Sequence, residues 1–106
     1  QSVVSIKDEN SITISKILSL CLLAPVIEEI YFRGILLSTI KLIIGPFWAV
    51  LLSSTYFSII HLNILASPTL FVLGISLGII AILTKSVLPS IILHALFNGL
   101  MLYLIL

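Results

Sequence analysis

The stretch PTLFVLGISLGIIAIL at residues 68–83 decides the fold class, because it contains no charged residue and no alternation of polar and apolar positions. Further apolar runs lie at residues 11–44, 47–62 and 87–106. A membrane-spanning helix needs roughly 17 to 25 residues, whereas strands with open edges cannot face lipid. Gly45-Pro46 and residues 84–86 separate the runs as turns. The pattern predicts an all-α, integral-membrane helical bundle with about four transmembrane helices.

The composition of the chain agrees with a membrane location. Of its 106 residues, 60% are hydrophobic and 8% are charged, and the mean hydropathy is +1.36. A soluble domain carries about a quarter charged residues, so an ordinary soluble globule is excluded. The few basic residues are scattered and form no patch, which argues against nucleic acid as a partner. The expected partner is the lipid bilayer. We expect a multi-pass integral protein in the cell membrane of a prokaryote.

The first residues differ from the rest of the chain. Residues 1–11 are polar and are predicted to be an aqueous lead-in, followed by a membrane core at 12–106. A start at Gln1, with acidic residues close behind, does not resemble a signal peptide. We expect a fragment of a longer membrane protein. Cys21 has no second cysteine to pair with and is read as a small buried hydrophobic residue.

Two further features bear on helix packing. Gly74 and Gly78 form a small-xxx-small spacing, which lets another helix approach closely in lipid. Pro25 lies inside the first run and is expected to kink that helix or to mark a boundary.

Ionisable residues inside the apolar runs carry the functional information. A charge at the centre of a membrane helix costs about 2.5 to 3.5 kcal/mol, and such residues usually face the bundle interior at functional sites. The residues in question are Glu28, Glu29, Arg33, His61 and His94.

Helix geometry separates the two glutamates. Glu29 and Arg33 are four residues apart, about 40° from each other around a helix, which predicts an ion pair within the helix. Glu28 points about 100° away from Glu29 and has no such partner. Glu28 therefore needs a partner from another helix or a water-filled cavity, and it is a candidate general base.

Two more pairs repeat the four-residue spacing on other runs: Phe57 with His61, and His94 with Asn98. At 1.5 Å per residue, Glu28 lies about 22 Å and His61 about 21 Å from the turn between their helices, so they can share one level. On the same side, Asn98 lies about 15 Å and His94 about 9 Å from the last turn. We therefore expect Asn98 to approach the level of Glu28, whereas His94 needs a tilted or offset helix.

Three motifs occur in order along these runs. Residues 28–33 read EExxxR, residues 57–61 read FxxxH, and residues 94–98 read HxxxN. Together they resemble the CPBP (Abi) family of intramembrane proteases, which includes CAAX prenyl endopeptidases and bacteriocin-processing proteins. The resemblance covers about residues 20 to 100. Family members carry further helices upstream of this core.

The resemblance implies a role for each motif residue. Glu28 would activate the attacking water with the help of His61, and His94 with Asn98 would stabilise the oxyanion. Three residues, Glu29, Arg33 and Phe57, would support the site. The substrate would be a peptide or protein at the membrane, of CAAX or bacteriocin-related type, and its prenylation is open. Two other functions compete: a non-catalytic membrane immunity or interaction protein, and a fragment of a proton-coupled transporter.

The cofactor is open between two interpretations. Glu28, His61 and His94 could form a His₂Glu zinc site. If Glu28 binds zinc, however, only Glu29 is left as a base, and Arg33 holds it on another face. If Glu28 is the base, two good ligands remain, since a neutral amide binds zinc poorly. A metal-free mechanism avoids this conflict and is preferred, with Zn²⁺ as the alternative.

Overall fold

A computed structural model of the protein describes residues 10–105, which fold into four helices with no strand among them. Helix α1 covers 10–44, α2 is Pro46–Ile60, α3 is Ser67–Thr84 and α4 is Leu88–Ile105. The all-α prediction is confirmed. Most of the predicted polar lead-in, residues 1–9, lies outside the described residues.

The helix ends agree with the turn signals of the sequence. Gly45 separates α1 from α2 with a φ of 87°, a conformation that is readily available to glycine. Pro46 then begins α2, where its missing N–H costs nothing because the first helical N–H groups have no partner in the helix. The predicted break at residues 84–86 separates α3 from α4.

Helix α1 is continuous through Pro25, but two π-helical segments interrupt its α-helical hydrogen bonding. The α-helical segments Asn10–Leu18, Ala24–Glu29 and Leu37–Ile44 alternate with the π-helical segments Ser19–Leu23 and Ile30–Leu36. The first π-helical segment precedes the proline, so the helix absorbs it by a register change within the first run. The segment that carries the two glutamates is therefore enclosed by π-helical turns, which are frequent at functional sites.

Helices α2 and α3 pack more closely than any other pair of helices among the described residues. A methyl group on Gly74 would lie 3.2 Å from the Cα atom of Ser54, so the backbones meet where glycine replaces a larger residue. This confirms the close approach predicted from the small-xxx-small spacing. One buried cluster gathers at this pair and α1: Phe32, Phe57, Leu73 and Leu77. A second lies nearer the α1–α2 turn: Leu37, Ala49, Val50 and Ala81.

Helix α4 packs along the N-terminal half of α1 and against α3. By length and composition, α3 and α4 could each cross a membrane, with mean hydropathies of 2.0 and 1.8, whereas α2 is shorter. Large aliphatic side chains such as those of Leu18, Leu96 and Leu104 are exposed on the outside of the bundle. A membrane bundle is compatible with these features, and the number of about four crossings stays a prediction.

Candidate active site

A buried ion pair forms the base of the site. Arg33 Nη1 donates a hydrogen bond of 2.9 Å to Glu29 Oε2, and both side chains are fully buried. The pair predicted from their four-residue spacing is therefore present. Arg33 Nη2 donates at 2.9 Å to the backbone carbonyl of Gly74 on α3. The arginine thus fastens the glutamate segment of α1 to α3 at the point where the two backbones come close.

His94 of α4 connects the two glutamates. Its Nδ1 lies 2.7 Å from Glu29 Oε2, and its Nε2 lies 3.5 Å from Glu28 Oε1. Because a carboxylate can only accept, the short contact places a proton on Nδ1, and Nε2 faces Glu28. Glu28 is the accessible partner, with 36% of its side chain exposed against 0% for Glu29. Glu28 has found its partner on another helix, as its position required.

Phe57 fills the space between the ionisable groups. Its fully buried ring lies 4.8 Å below the Arg33 guanidinium, a distance suited to a cation–π contact. The ring centroid is 4.7 Å from that of His61 and 5.8 Å from that of His94. The phenylalanine ring therefore contacts the arginine and both histidines of the site.

His61 sits at the end of α2, where the helix stops and the residue is exposed. Its Nδ1 lies 2.6 Å from the carbonyl oxygen of Phe57. A carbonyl only accepts, so Nδ1 carries the proton and Nε2 keeps a free lone pair. The imidazole is thus held in one tautomer by its own helix. Among the described residues, neither glutamate lies within 4 Å of the His61 ring nitrogens.

Asn98 does not lie at the depth that was predicted for it. Its Nδ2 donates at 2.9 Å to the carbonyl of Leu20, about two turns before the glutamates on α1. In the π register of this segment, the N–H of residue 24 bonds the carbonyl of residue 19. The carbonyl of Leu20 would then bond residue 25, but Pro25 has no N–H. The asparagine side chain supplies the missing donor.

The depth prediction is wrong for Asn98, whereas the helix offset predicted to be needed by His94 is present. A methyl group on Gly34 would lie 3.6 Å from Val87 Cγ1, so α4 begins opposite Gly34 rather than beside the end of α1 at Ile44. The helix is displaced along α1 by about ten residues, or roughly 15 Å. This displacement brings His94, and not Asn98, to the level of the two glutamates.

The three ligands of the zinc alternative do not assemble in this arrangement. Within residues 10–105, no group of three or more His, Cys, Asp or Glu side chains could hold a metal ion. His94 and Glu28 face each other at 3.5 Å, and the His61 ring contacts Phe57 without a glutamate oxygen within 4 Å of its nitrogens. The zinc site of Glu28, His61 and His94 stays a prediction, and the metal-free mechanism remains the preferred one.

Two functional contacts were missed by reasoning from the sequence. The carbonyl of Gly74 accepts from Arg33, and Glu29 accepts from His94 as well as from Arg33. The glycine spacing on α3 marked a close approach, which is the signal that could have pointed to the first contact. The second joins residues 65 positions apart, and no local spacing encodes it.

The family model described as Type II CAAX prenyl endopeptidase Rce1-like matches residues 10–100. The match confirms the family suggested by the three motifs. Comparisons with curated proteins and with solved structures give no significant match.

Proposed function

The chain belongs to the Rce1-like family of type II CAAX prenyl endopeptidases, and from that premise we propose that it hydrolyses a peptide bond of a membrane-associated protein or peptide. Proteins of this family are membrane proteins. The proposed protein is an integral, multi-pass enzyme, and its substrate is of CAAX type, with a prenyl group near the cleaved bond.

One observation supports the proposal most directly: two adjacent carboxylates contact the two ring nitrogens of the same histidine, and only one of these carboxylates is accessible. Glu29 is buried and occupied by Arg33 and His94, so it is unsuited to meet a substrate. Glu28 is 36% exposed and lies 3.5 Å from His94 Nε2. Its carboxylate can reach a water molecule while the imidazole remains beside it.

The proposed chemistry begins with a water held by Glu28 and the free Nε2 of His61. Glu28 takes a proton from the water while the water oxygen attacks the peptide carbonyl carbon. This attack forms a C–O bond and an oxyanion. The proton passes from Glu28 to the leaving amine as the C–N bond breaks, with His94 Nε2 as the intermediate carrier. The buried carboxylate of Glu29 stabilises the imidazolium that forms, as an orienting acid does in a Ser-His-Asp triad.

The oxyanion needs a donor, and His94 is proposed to supply it. His94 becomes a donor at Nε2 once it has received the proton from Glu28, before that proton moves on to the leaving amine. Asn98 bonds the carbonyl of Leu20, about two turns before the glutamates on α1, so we assign it to holding α4 against α1 rather than to the substrate carbonyl. Hydrogen-bond donors at the developing negative charge stabilise the oxyanion of acyl transfer.

The decisive test is Glu28→Gln in the full-length protein, assayed on prenylated and unprenylated fluorogenic peptides in lipid nanodiscs. The loss of a general base is expected to lower kcat by about 10²- to 10⁴-fold. Folding should be retained, because glutamine has the same shape and removes a charge from the bundle. The matched control is Glu29→Gln, which removes the negative partner of a buried arginine and should lower the unfolding midpoint.

Two results would contradict this proposal. Unfolding of the Glu28 variant comparable to that of Leu77→Ala, a change in the buried core, would make Glu28 structural. Absence of turnover in the unsubstituted protein on every peptide would favour the non-catalytic immunity or interaction protein.

A further inference from the structure

A cavity of about 460 Å³ lies where the C-terminal part of α1 meets the end of α3 and the start of α4. Arg33, whose charge is paired with Glu29, also lines the cavity, whereas Glu28 and His94 do not. The remaining polar lining comes from two chain segments that are remote in sequence: Ser38 and Lys41 on α1, and Lys85 and Ser86 in the turn before α4. Its apolar wall includes Leu37 and Val87. The Ser38 hydroxyl donates to the carbonyl of Arg33, so two lysines and the hydroxyl group of Ser86 remain around one amphipathic space.

The two lysine charges at this cavity are uncompensated within the part of the chain that the structure describes. Neither Lys41 nor Lys85 has a carboxylate within 4 Å there, and the carboxylates of Glu28 and Glu29 are engaged with the histidine and arginine of the candidate active site. The two lysine charges around one cavity repel each other. An anion bound between them is attracted to each lysine, and these two attractions offset the repulsion.

The backbone at Lys85 provides independent support. Lys85 is the C-cap residue of α3 and adopts a left-handed conformation, with φ 55° and ψ 34°. Glycine is the residue most often found at such a position, since a Cβ atom makes the conformation unfavourable. A lysine is kept here despite that cost, and it lines the cavity. Unfavourable backbone conformations of this kind concentrate at ligand-binding sites.

We propose that the cavity binds a phosphate group, carried by the headgroup of an anionic phospholipid or by soluble phosphate. The lysine ammonium groups and the Ser86 hydroxyl are donors, and a phosphate oxygen accepts from both. Basic pockets between membrane helices bind anionic headgroups, and the apolar wall beside the lysines suits the glycerol end of a lipid. The site does not depend on peptidase activity, and its occupation would fix α1, α3 and α4 to one another.

The test measures melting temperature as a function of ligand concentration, using the full-length protein in neutral detergent. Phosphatidylglycerol is compared with phosphatidylcholine in mixed micelles, and inorganic phosphate with chloride at equal ionic strength. Replacement of one lysine by glutamine, at position 41 or 85, should weaken the apparent affinity for the stabilising ligand about fivefold. A response to phosphatidylglycerol alone identifies a lipid headgroup, and a response to inorganic phosphate as well identifies a general phosphate site.

Two matched variants separate binding from folding. Lys16→Gln removes a charge near the other end of α1 and should leave the response unchanged. Lys85→Gly removes the charge together with the unfavourable conformation, so it should raise the melting temperature without ligand and still weaken the response. The proposal is overturned if neither ligand stabilises the protein, if the variants at Lys41 and Lys85 respond like the unsubstituted protein, or if Lys16→Gln loses as much affinity as they do.

Discussion

Gly74→Ala tests the contact between α2 and α3 that supports the candidate active site. The added methyl would lie 3.2 Å from both Cα and Cβ of Ser54 and 3.3 Å from Phe57 Cδ2. Ordinary carbon contacts are about 3.5 to 4.0 Å. Because one of these atoms belongs to the backbone, α2 must move as a unit by a few tenths of an ångström. Overpacking of this kind costs about 1 to 3 kcal/mol.

The intrinsic gain of alanine over glycine in a helix, about 1 kcal/mol, must be removed from the comparison. Gly99→Ala on α4 supplies the control, since a methyl there meets nothing within 4 Å. We expect Gly74→Ala to be less stable than Gly99→Ala by about 1 to 3 kcal/mol. Trp48 at the start of α2 reports unfolding by its fluorescence in a denaturing-detergent titration. Equal stability of the two variants, within about 0.5 kcal/mol, would refute the close contact.

Three further predictions follow from the network around the glutamates. Arg33→Ala leaves Glu29 as an unpaired buried charge and should lower the free energy of unfolding in detergent by about 3 to 5 kcal/mol. The double variant Glu29→Gln with Arg33→Gln should recover much of this loss. A double variant no more stable than Arg33→Ala would mean that the two residues are not a pair. Asn98→Leu should cost about 1 to 3 kcal/mol by stranding the carbonyl of Leu20, and the loss should shrink in a Pro25→Ala background that restores a backbone donor; an undiminished loss would contradict the replacement of that donor. Purified, active full-length protein should keep its activity after exhaustive chelation. The metal-free mechanism would be overturned if the protein contains stoichiometric zinc, loses activity when the zinc is removed and regains it when zinc is added back.

Local features of the sequence predicted the parts of the structure that local chemistry determines. Apolar runs ended at glycine and proline signals, so the helix ends followed within two residues. The Glu29–Arg33 pair followed from a four-residue spacing, because neighbours on one helix face meet whatever surrounds them. The close approach at Gly74 also followed, since only small residues allow two helix axes to come together in lipid.

The relative heights of the helices could not be predicted in this way. Counting residues from each turn assumed that all helices start at one plane, but α4 starts opposite Gly34. That offset depends on packing along the whole of α1, including the two π-helical segments, and none of it is encoded near His94. The expected and observed neighbours of Asn98 differ for this reason alone.

The adjacency of Glu28 and Glu29 explains how one short segment can serve two opposite needs. Successive residues of a helix point about 100° apart, so one carboxylate can face the interior while the other stays accessible. The interior one holds His94 through Nδ1 at 2.7 Å, and the accessible one meets the same ring at Nε2 across 3.5 Å. In the proposed mechanism, the first fixes the tautomer and the second exchanges the proton. Exchanging their tasks would require a rotation of α1 by about 100°, which Arg33 and its hydrogen bond to Gly74 prevent.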